Sequence, residues 1–262
     1  MKILVLTFLS LISLINAQVI VLPDQDGFAD RFVVKIHRTN PPQNTFLASG
    51  VLLNQRHVLT IASAVQGLTV NILRIHFGNT RLTGSADVGV ELISIIPSFN
   101  VSQPLENNLA VLRIPQSDAN RITNAFLPRQ LGELQMNHFC TMFGFGTRST
   151  PQWVGNEQMN MEAARIRDSV ECDHLFHGNF FCTAGTPGRF ANCGGFIGAP
   201  IICDGERLAG LVTQEQYCGP NPRAYIINIQ HHHEWITRTS SVGKIMTSIM
   251  MIIFGVFISK LM

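Results

Sequence analysis

Short runs of β-branched and aliphatic residues, separated by turn-forming residues, recur along most of this chain, and their spacing constrains the fold more than any other feature. A first set covers 32–37, 46–53, 58–62, 72–77, 88–96 and 109–114, and a second includes 141–145, 201–203, 208–213 and 224–229. Strands at this spacing with turn signals between them predict an all-β barrel or sandwich. Only the stretch from about 230 to 239 reads as a helix, with Ile229, His233 and Ile236 on one face. The polar connection 115–137 is the expected crossing between the two sets, and no internal repeat or low-complexity stretch interrupts either.

Both ends of the chain differ from this pattern. Residues 1–17 carry one early cation, Lys2, then an apolar run over 3–15 and the small residue Ala17. That is the layout of a secretory signal peptide, which predicts a mature chain from Gln18. The 241–262 tail is apolar over 245–258 except for Thr247, Ser248 and Gly255, and it is shorter than the ~20 residues of a comfortable membrane helix. The small triplet Thr239, Ser240 and Ser241, a spacer over 242–248 and the apolar segment from 249 approximate a glycolipid-anchor attachment signal. A short membrane span and a loose apolar tail are the alternatives, so membrane association through this segment is one expectation.

These ends inflate the 46% hydrophobic content, against 14% charged. They also contain Lys2, Lys244 and Lys260 and no acidic residue, so the remaining chain has 16 basic and 17 acidic residues from the original 19 and 17. No basic block survives, which excludes nucleic acid as an expected partner. Six cysteines in a secreted chain are expected to be paired, with the connectivity left open by counting. Asn100-Val101-Ser102 is a glycosylation sequon.

Three separated segments carry the chemistry. Gly50-Val51-Leu52-Leu53-Asn54 is followed by Val58-Leu59-Thr60-Ile61-Ala62-Ser63-Ala64; Asn107-Asn108-Leu109-Ala110-Val111-Leu112 comes next; Cys193-Gly194-Gly195-Phe196-Ile197-Gly198-Ala199-Pro200 is the third. Together they resemble the trypsin and chymotrypsin family over about 20–240. The resemblance implies a chymotrypsin-like fold of two six-stranded antiparallel barrels with a short C-terminal helix. One barrel would cover about 20–125 and the other about 126–240. It also implies where a catalytic triad would stand: Ser63 in place of the histidine, Asn108 in place of the aspartate and Ile197 in place of the nucleophilic serine.

A serine hydroxyl needs an imidazole to take its proton, and a carboxylate must hold that imidazole and stabilise its charge. Ile197 has no nucleophilic atom, and loss of such a unit lowers turnover on the order of a million-fold. By the same resemblance, Phe196 takes the place of the aspartate that pairs with a newly released N-terminus. Ile20-Val21-Leu22-Pro23 matches that terminus with only Gln18 and Val19 before it, so no activation switch is expected. Gly195 and the Ile197 N–H keep the positions of the oxyanion donors without the switch that organises them. Ala191 stands at the specificity position of the substrate pocket. Thr213, Gln214 and Glu215 match the wall that pairs with substrate backbone, and Glu215 is expected to obstruct it.

The resemblance further implies disulfides joining Cys140 to Cys203, Cys172 to Cys182, and Cys193 to Cys218. The bridge beside the family's histidine would join Ala48 and Ala64, and both of its cysteines are absent. Other chemistry is weakly signalled. His231, His232 and His233 point in different directions on a helix and read as solvated surface residues. His57 reads as a packed strand residue, and His174 and His177 with Asp173 as exposed loop residues. No metal and no cofactor are expected. The expected function is therefore non-catalytic protein binding outside the cell, as a regulatory cofactor or decoy in extracellular proteolysis. An unconventional serine-type hydrolase and a cell-surface adhesion or receptor component are the competing readings.

Overall fold

Residues 32–39, 45–77, 87–116, 130–131, 139–145, 159–167, 180–185, 196–203, 207–216 and 223–240 are described by a computed structural model. Several sequence expectations lie outside them: the 1–17 leader, the stretch from Ile20 to Pro23, the 241–262 tail, Cys172, Cys193, Cys218, Ala191, Gly195, and the Asp173, His174 and His177 group.

Strand alternation builds the first sheet. On β1 (Val33–Arg38), Val34 and Ile36 share a face with Leu73 and Ile75 of β4 (Leu73–Phe77) and with Val88 of β5 (Asp87–Gly89), and all five are buried. β1 also pairs with β2 (Thr45–Asn54), which turns through Gln55 and Arg56 into β3 (His57–Thr60). The sheet ends with β6 (Leu92–Ile95) and β7 (Ala110–Arg113), giving the antiparallel order β5-β4-β1-β2-β3-β7-β6. The apolar run 88–96 is thus two strands. β5 pairs with β4 and β6 with β7. At the corner, Glu91 donates its N–H to the Arg113 carbonyl at 2.7 Å, while its carboxylate takes Arg56 at 2.9 Å and Arg113 at 3.2 Å.

The second sheet contains β8 (Gln130–Leu131), β9 (Phe139–Gly144), β10 (Asn160–Arg167), β11 (Phe180–Gly185), β12 (Pro200–Cys203), β13 (Arg207–Gln216) and β14 (Arg223–Asn228). Its order is β12-β9-β10-β11-β14-β13, and a β12–β13 pairing closes these six strands into a barrel, with β8 added in parallel to β13. The fold is all-β and chymotrypsin-like, with a closed six-stranded barrel, a half-barrel and one short C-terminal helix. Cys140 and Cys203 lie opposite each other on β9 and β12 and form a disulfide. Cys182 is also disulfide-bonded, to a residue outside the described ones.

Short helices punctuate the strands. α1 (Ala62–Val65) follows β3, and α2 (His233–Ser240) closes the chain after a tight helical turn, Ile229–His232. That turn changes the predicted helix face. Ile229, His232 and Ile236 are buried, while His233 is exposed. The tighter winding of the turn brings the residue three positions after Ile229 inward, so the apolar face passes through His232. Among the described residues no helix is long and apolar enough to cross a membrane.

Backbone and ring contacts join the two sheets. Ser49 of β2 donates its N–H to the Ile197 carbonyl at 2.8 Å, and its Oγ accepts the Phe145 N–H at 3.2 Å. Phe32 meets Phe143 edge-on, with ring centroids 6.4 Å apart. One apolar cluster accordingly runs from Ile36 and Leu59 through Phe143, Phe145 and Ile197 to Ile227 and Ile236.

Candidate functional site

Ser63 lies in the first turn of α1, where backbone N–H groups have no helical acceptor. Asn108 satisfies one of them, because its Oδ1 accepts the Ser63 N–H at 2.8 Å. The Asn108 Nδ2 donates to the Pro104 carbonyl at 2.8 Å and to Ser63 Oγ at 3.0 Å. Chemistry fixes this amide orientation: a carbonyl can only accept and a backbone N–H can only donate, so a flipped amide would set like against like twice. Asn108 is fully buried, whereas Ser63 is exposed. The arrangement is a neutral clamp joining α1 to the segment that leads into β7.

The clamp opposes activation of the Ser63 hydroxyl. A nucleophilic serine needs a partner that accepts its proton, and here the buried neighbour donates a proton toward the oxygen instead. His57 serves elsewhere. It lies at the far end of β3 from α1, it is buried, and its Nδ1 is 2.9 Å from Asn54 Oδ1. That oxygen also accepts the Arg56 N–H at 2.9 Å, so His57 Nδ1 carries the hydrogen. Burial lowers the His57 pKa, and the charges of Arg56 and Arg113 lower it further.

The segment 196–199 forms a tight turn held on two sides. The Gly198 N–H donates to the Val212 carbonyl at 2.8 Å, the Val212 N–H to the Ala199 carbonyl at 2.9 Å, and the Ala199 N–H to the Phe196 carbonyl at 2.8 Å. Gly198 has φ +75°, and a Cβ there would run into the Ser49 carbonyl oxygen. Both a left-handed backbone and close approach of β2 therefore require glycine. The turn directs Ile197 into the apolar cluster between the sheets, where it is only 7% exposed. Phe196 is 1% exposed and packs with Met142, Ala199 and Ile201 in the core of the second barrel. Burial of each such side chain stabilises the fold by roughly 1.5–3 kcal/mol.

Thr213 sits in a bulge of β13, where the register with β14 shifts between Val212 and Gln214. It is buried, and its hydroxyl donates to the Tyr225 carbonyl at 3.2 Å. Gln214 and Glu215 pair with Tyr225 and Ala224 along the same strand. Ala48 is buried on β2, and Ala64 lies half-buried on α1.

The histidines divide in a way that sequence spacing did not reveal. His232 is a correction to the expectation of a solvated triplet: it is 6% exposed, and no hydrogen bond reaches its Nε2 among the described residues. Burial, aided by His231, lowers its pKa to about 4. His231 and His233 remain exposed. Among the described residues no group of three or more His, Cys, Asp or Glu side chains could hold a metal ion. A second grouping, absent from the sequence reading, joins β1, β4 and β5. Asp87 lies 3.4 Å from the buried His37 Nε2 and 3.1 Å from His76 Nδ1. Desolvation lowers the His37 pKa more than Asp87 raises it. Only strand register brings these residues together, with Lys35 opposite His76 and His76 opposite Asp87.

Relatives share this architecture. The solved structure of neuropsin, described as a serine protease expressed in the limbic system of mouse brain, superposes with a TM-score of 0.66. That match has 20% identity and covers 81% of this chain and 96% of neuropsin. Kallikrein-8 of Rattus norvegicus is 25% identical over 205 residues, covering 76% of this chain and 78% of the relative. The thrombin-like enzyme kangshuanmei of Gloydius brevicauda is 21% identical over 224 residues, covering 83% of this chain and 94% of the relative. The family model described as Trypsin matches residues 23–236. With four-fifths of its length matched and the two-sheet architecture in place, the chain belongs to the trypsin family of serine proteases.

Proposed function

We propose that this family member is non-catalytic and acts by binding an extracellular protein, as a regulatory cofactor or decoy in extracellular proteolysis. One observation carries the reading: the Asn108 amide donates to Ser63 Oγ at 3.0 Å, in the place where a trypsin-like enzyme needs a base that takes a proton. The side chain at 197 adds to it, since an isoleucine buried in the core has neither a hydroxyl nor access to substrate. Ser63, Asn108 and Ile197 are the degenerate triad positions of this reading, with Ala191, Thr213, Gln214 and Glu215 as a degenerate substrate wall. The 1–17 leader supports secretion, and the 241–262 tail supports a surface-anchored form as the alternative to a freely secreted one. The two-barrel scaffold, about 20–125 and 126–240, presents loops for recognition once catalysis is gone.

Serine-directed phosphonates test the reading directly. The purified protein incubated with such a probe is expected to gain no mass. Stoichiometric labelling, mapped to Ser63 or to any other serine, would replace the binding role with hydrolase chemistry.

A further inference from the structure

The last residue of α2 is tied to the half-barrel through one amide. Asn54, at the end of β2, donates its Nδ2 to the Ser240 carbonyl at 3.3 Å across 186 positions of sequence. Its Oδ1 accepts the Arg56 N–H at 2.9 Å and lies 2.9 Å from His57 Nδ1. The chain beyond Ser240 therefore leaves from beside the β2–β3 turn. The apolar stretch 245–258 begins soon after, and the steps from Ser240 to Ile245 span at most roughly 18 Å when fully extended.

An excess of positive charge surrounds that exit. Arg56 donates Nη2 to Glu91 at 2.9 Å and Nε to the Ile114 carbonyl at 3.3 Å, while Arg113 meets the same carboxylate with Nε at 3.2 Å and Nη2 at 3.3 Å. Two guanidiniums thus share one carboxylate, and among the described residues the Nη1 of each donates to no protein acceptor. Their side chains are 34% and 32% exposed. Arg238, in the last turn of α2, is a third and exposed cation, and no acidic residue follows it in the sequence. Leu92, 42% exposed, pairs with Arg113 across β6 and β7, so the two side chains leave the same face of the sheet. Cations flanking an exposed aliphatic side chain suit a phospholipid surface: guanidiniums take phosphate oxygens, and the aliphatic group enters the layer beneath them.

We infer that the corner formed by Arg56, Arg113 and Leu92 lies against the bilayer and binds lipid phosphates, which holds the surface-anchored form in one orientation. The inference rests on the surface-anchored reading of 241–262 above. The ladder between β3 and β7 then decides what faces away from the membrane. His57 pairs with Arg113 at the corner, and Thr60 pairs with Ala110 at the other end, roughly 10 Å along the strands. Ser63 and Asn108 adjoin that second end, following β3 and preceding β7. The clamp therefore stands on the side remote from the bilayer, where a soluble protein reaches it.

Contact quenching tests the orientation. The full chain, extracted from the membranes of expressing cells, is returned to vesicles of equal parts phosphatidylcholine and phosphatidylserine that carry a spin-label quencher on a lipid headgroup. A fluorophore is attached at Gln55→Cys in the β2–β3 turn or at Gln66→Cys just after α1, both exposed positions. Quenching is expected to be several-fold greater at 55 than at 66. The contrast is expected to disappear when Arg56→Gln and Arg113→Gln are combined, and when the salt concentration is raised to about 0.5 M. Should the double variant fail to be exported, the salt series on the native arginines reads the same contact. Equal quenching at both positions with the arginines intact overturns the orientation and leaves the anchored reading standing. A contrast that survives high salt overturns the phosphate contact. A chain found only in the medium, with none in the membranes, overturns the anchored reading and the inference with it.

Discussion

The half-barrel and the closed barrel hold the segments that meet near their junction by different means. On the half-barrel side the link is polar: the Asn108 carbonyl accepts the Ser63 N–H, and its amide nitrogen donates to Ser63 Oγ where a carboxylate could only accept. On the closed-barrel side the link is packing: Phe196 and Ile197 are buried in apolar clusters and contribute to stability. Neutral hydrogen bonds fix one side, while a tight backbone turn carrying apolar side chains fixes the other.

The turn itself is the most sensitive point. Gly198→Val is expected to prevent folding or to cost more than about 4 kcal/mol, because the substitution forces a β-branched residue into φ +75° against the Ser49 carbonyl. Secreted yield and thermal unfolding check this. A variant of near-native stability would show that the two sheets are not joined closely at this turn.

Ile197→Ser measures the packing contribution. Loss of buried apolar surface together with a hydroxyl in the core is expected to cost about 3 kcal/mol, read from urea unfolding. Combining it with Ser63→His and Asn108→Asp is expected to leave peptide-ester hydrolysis within about a hundred-fold of background. Rates near those of a trypsin-like enzyme would mean that packing has not displaced the oxyanion geometry.

Acid separates both regions from the rest of the molecule, since neither Asn108 nor Ile197 titrates. Burial depresses the pKa of His37, His57 and His232. The unfolded chain therefore binds protons more readily below pH 6.5, and stability present above that pH is lost as pH falls through the folded-state values. For His232, lowered to about 4, the loss between pH 6.5 and 4 is roughly 3 kcal/mol. His232→Phe is expected to flatten that part of the stability profile, whereas Ile197→Ser shifts the whole profile without changing its slope.

The clamp predicts the smallest effects and the sharpest internal contrast. Asn108→Ala leaves the Pro104 carbonyl and the Ser63 N–H without their partner and is expected to cost about 2 kcal/mol. Ser63→Ala removes one exposed hydroxyl that accepts a single bond and is expected to cost no more than about 1 kcal/mol. Equal costs, measured by unfolding, would place the hydroxyl at the centre of the clamp and not at its rim.

Legibility followed local pattern. The strands of the half-barrel have apolar runs or alternation that the sequence displays, although the single run 88–96 concealed a change of partner at Val90 and Glu91. β10, Asn-Met-Glu-Ala-Ala-Arg-Ile-Arg, contains residues that favour helices, and it is a strand because β9 and β11 pair with it on both sides. Ser63, Asn108 and Ile197 stood out by their neighbours in sequence. The Pro104 carbonyl did not, because a main-chain oxygen has no residue signature. His232 was misplaced because a tight turn before α2 shifted the helical phase.

Sequence alone determined the all-β class, the membership implied by three short motifs, and the chemical poverty of position 197, since these depend on residue identity and local period. Tertiary structure alone decided which way the Asn108 amide faces, that Ile197 turns into the core, and that His37, His76 and Asp87 meet. Those outcomes depend on register and packing between segments far apart in the chain, and a hydrogen-bond donor or a buried face acquires its meaning only from the partner that folding brings to it.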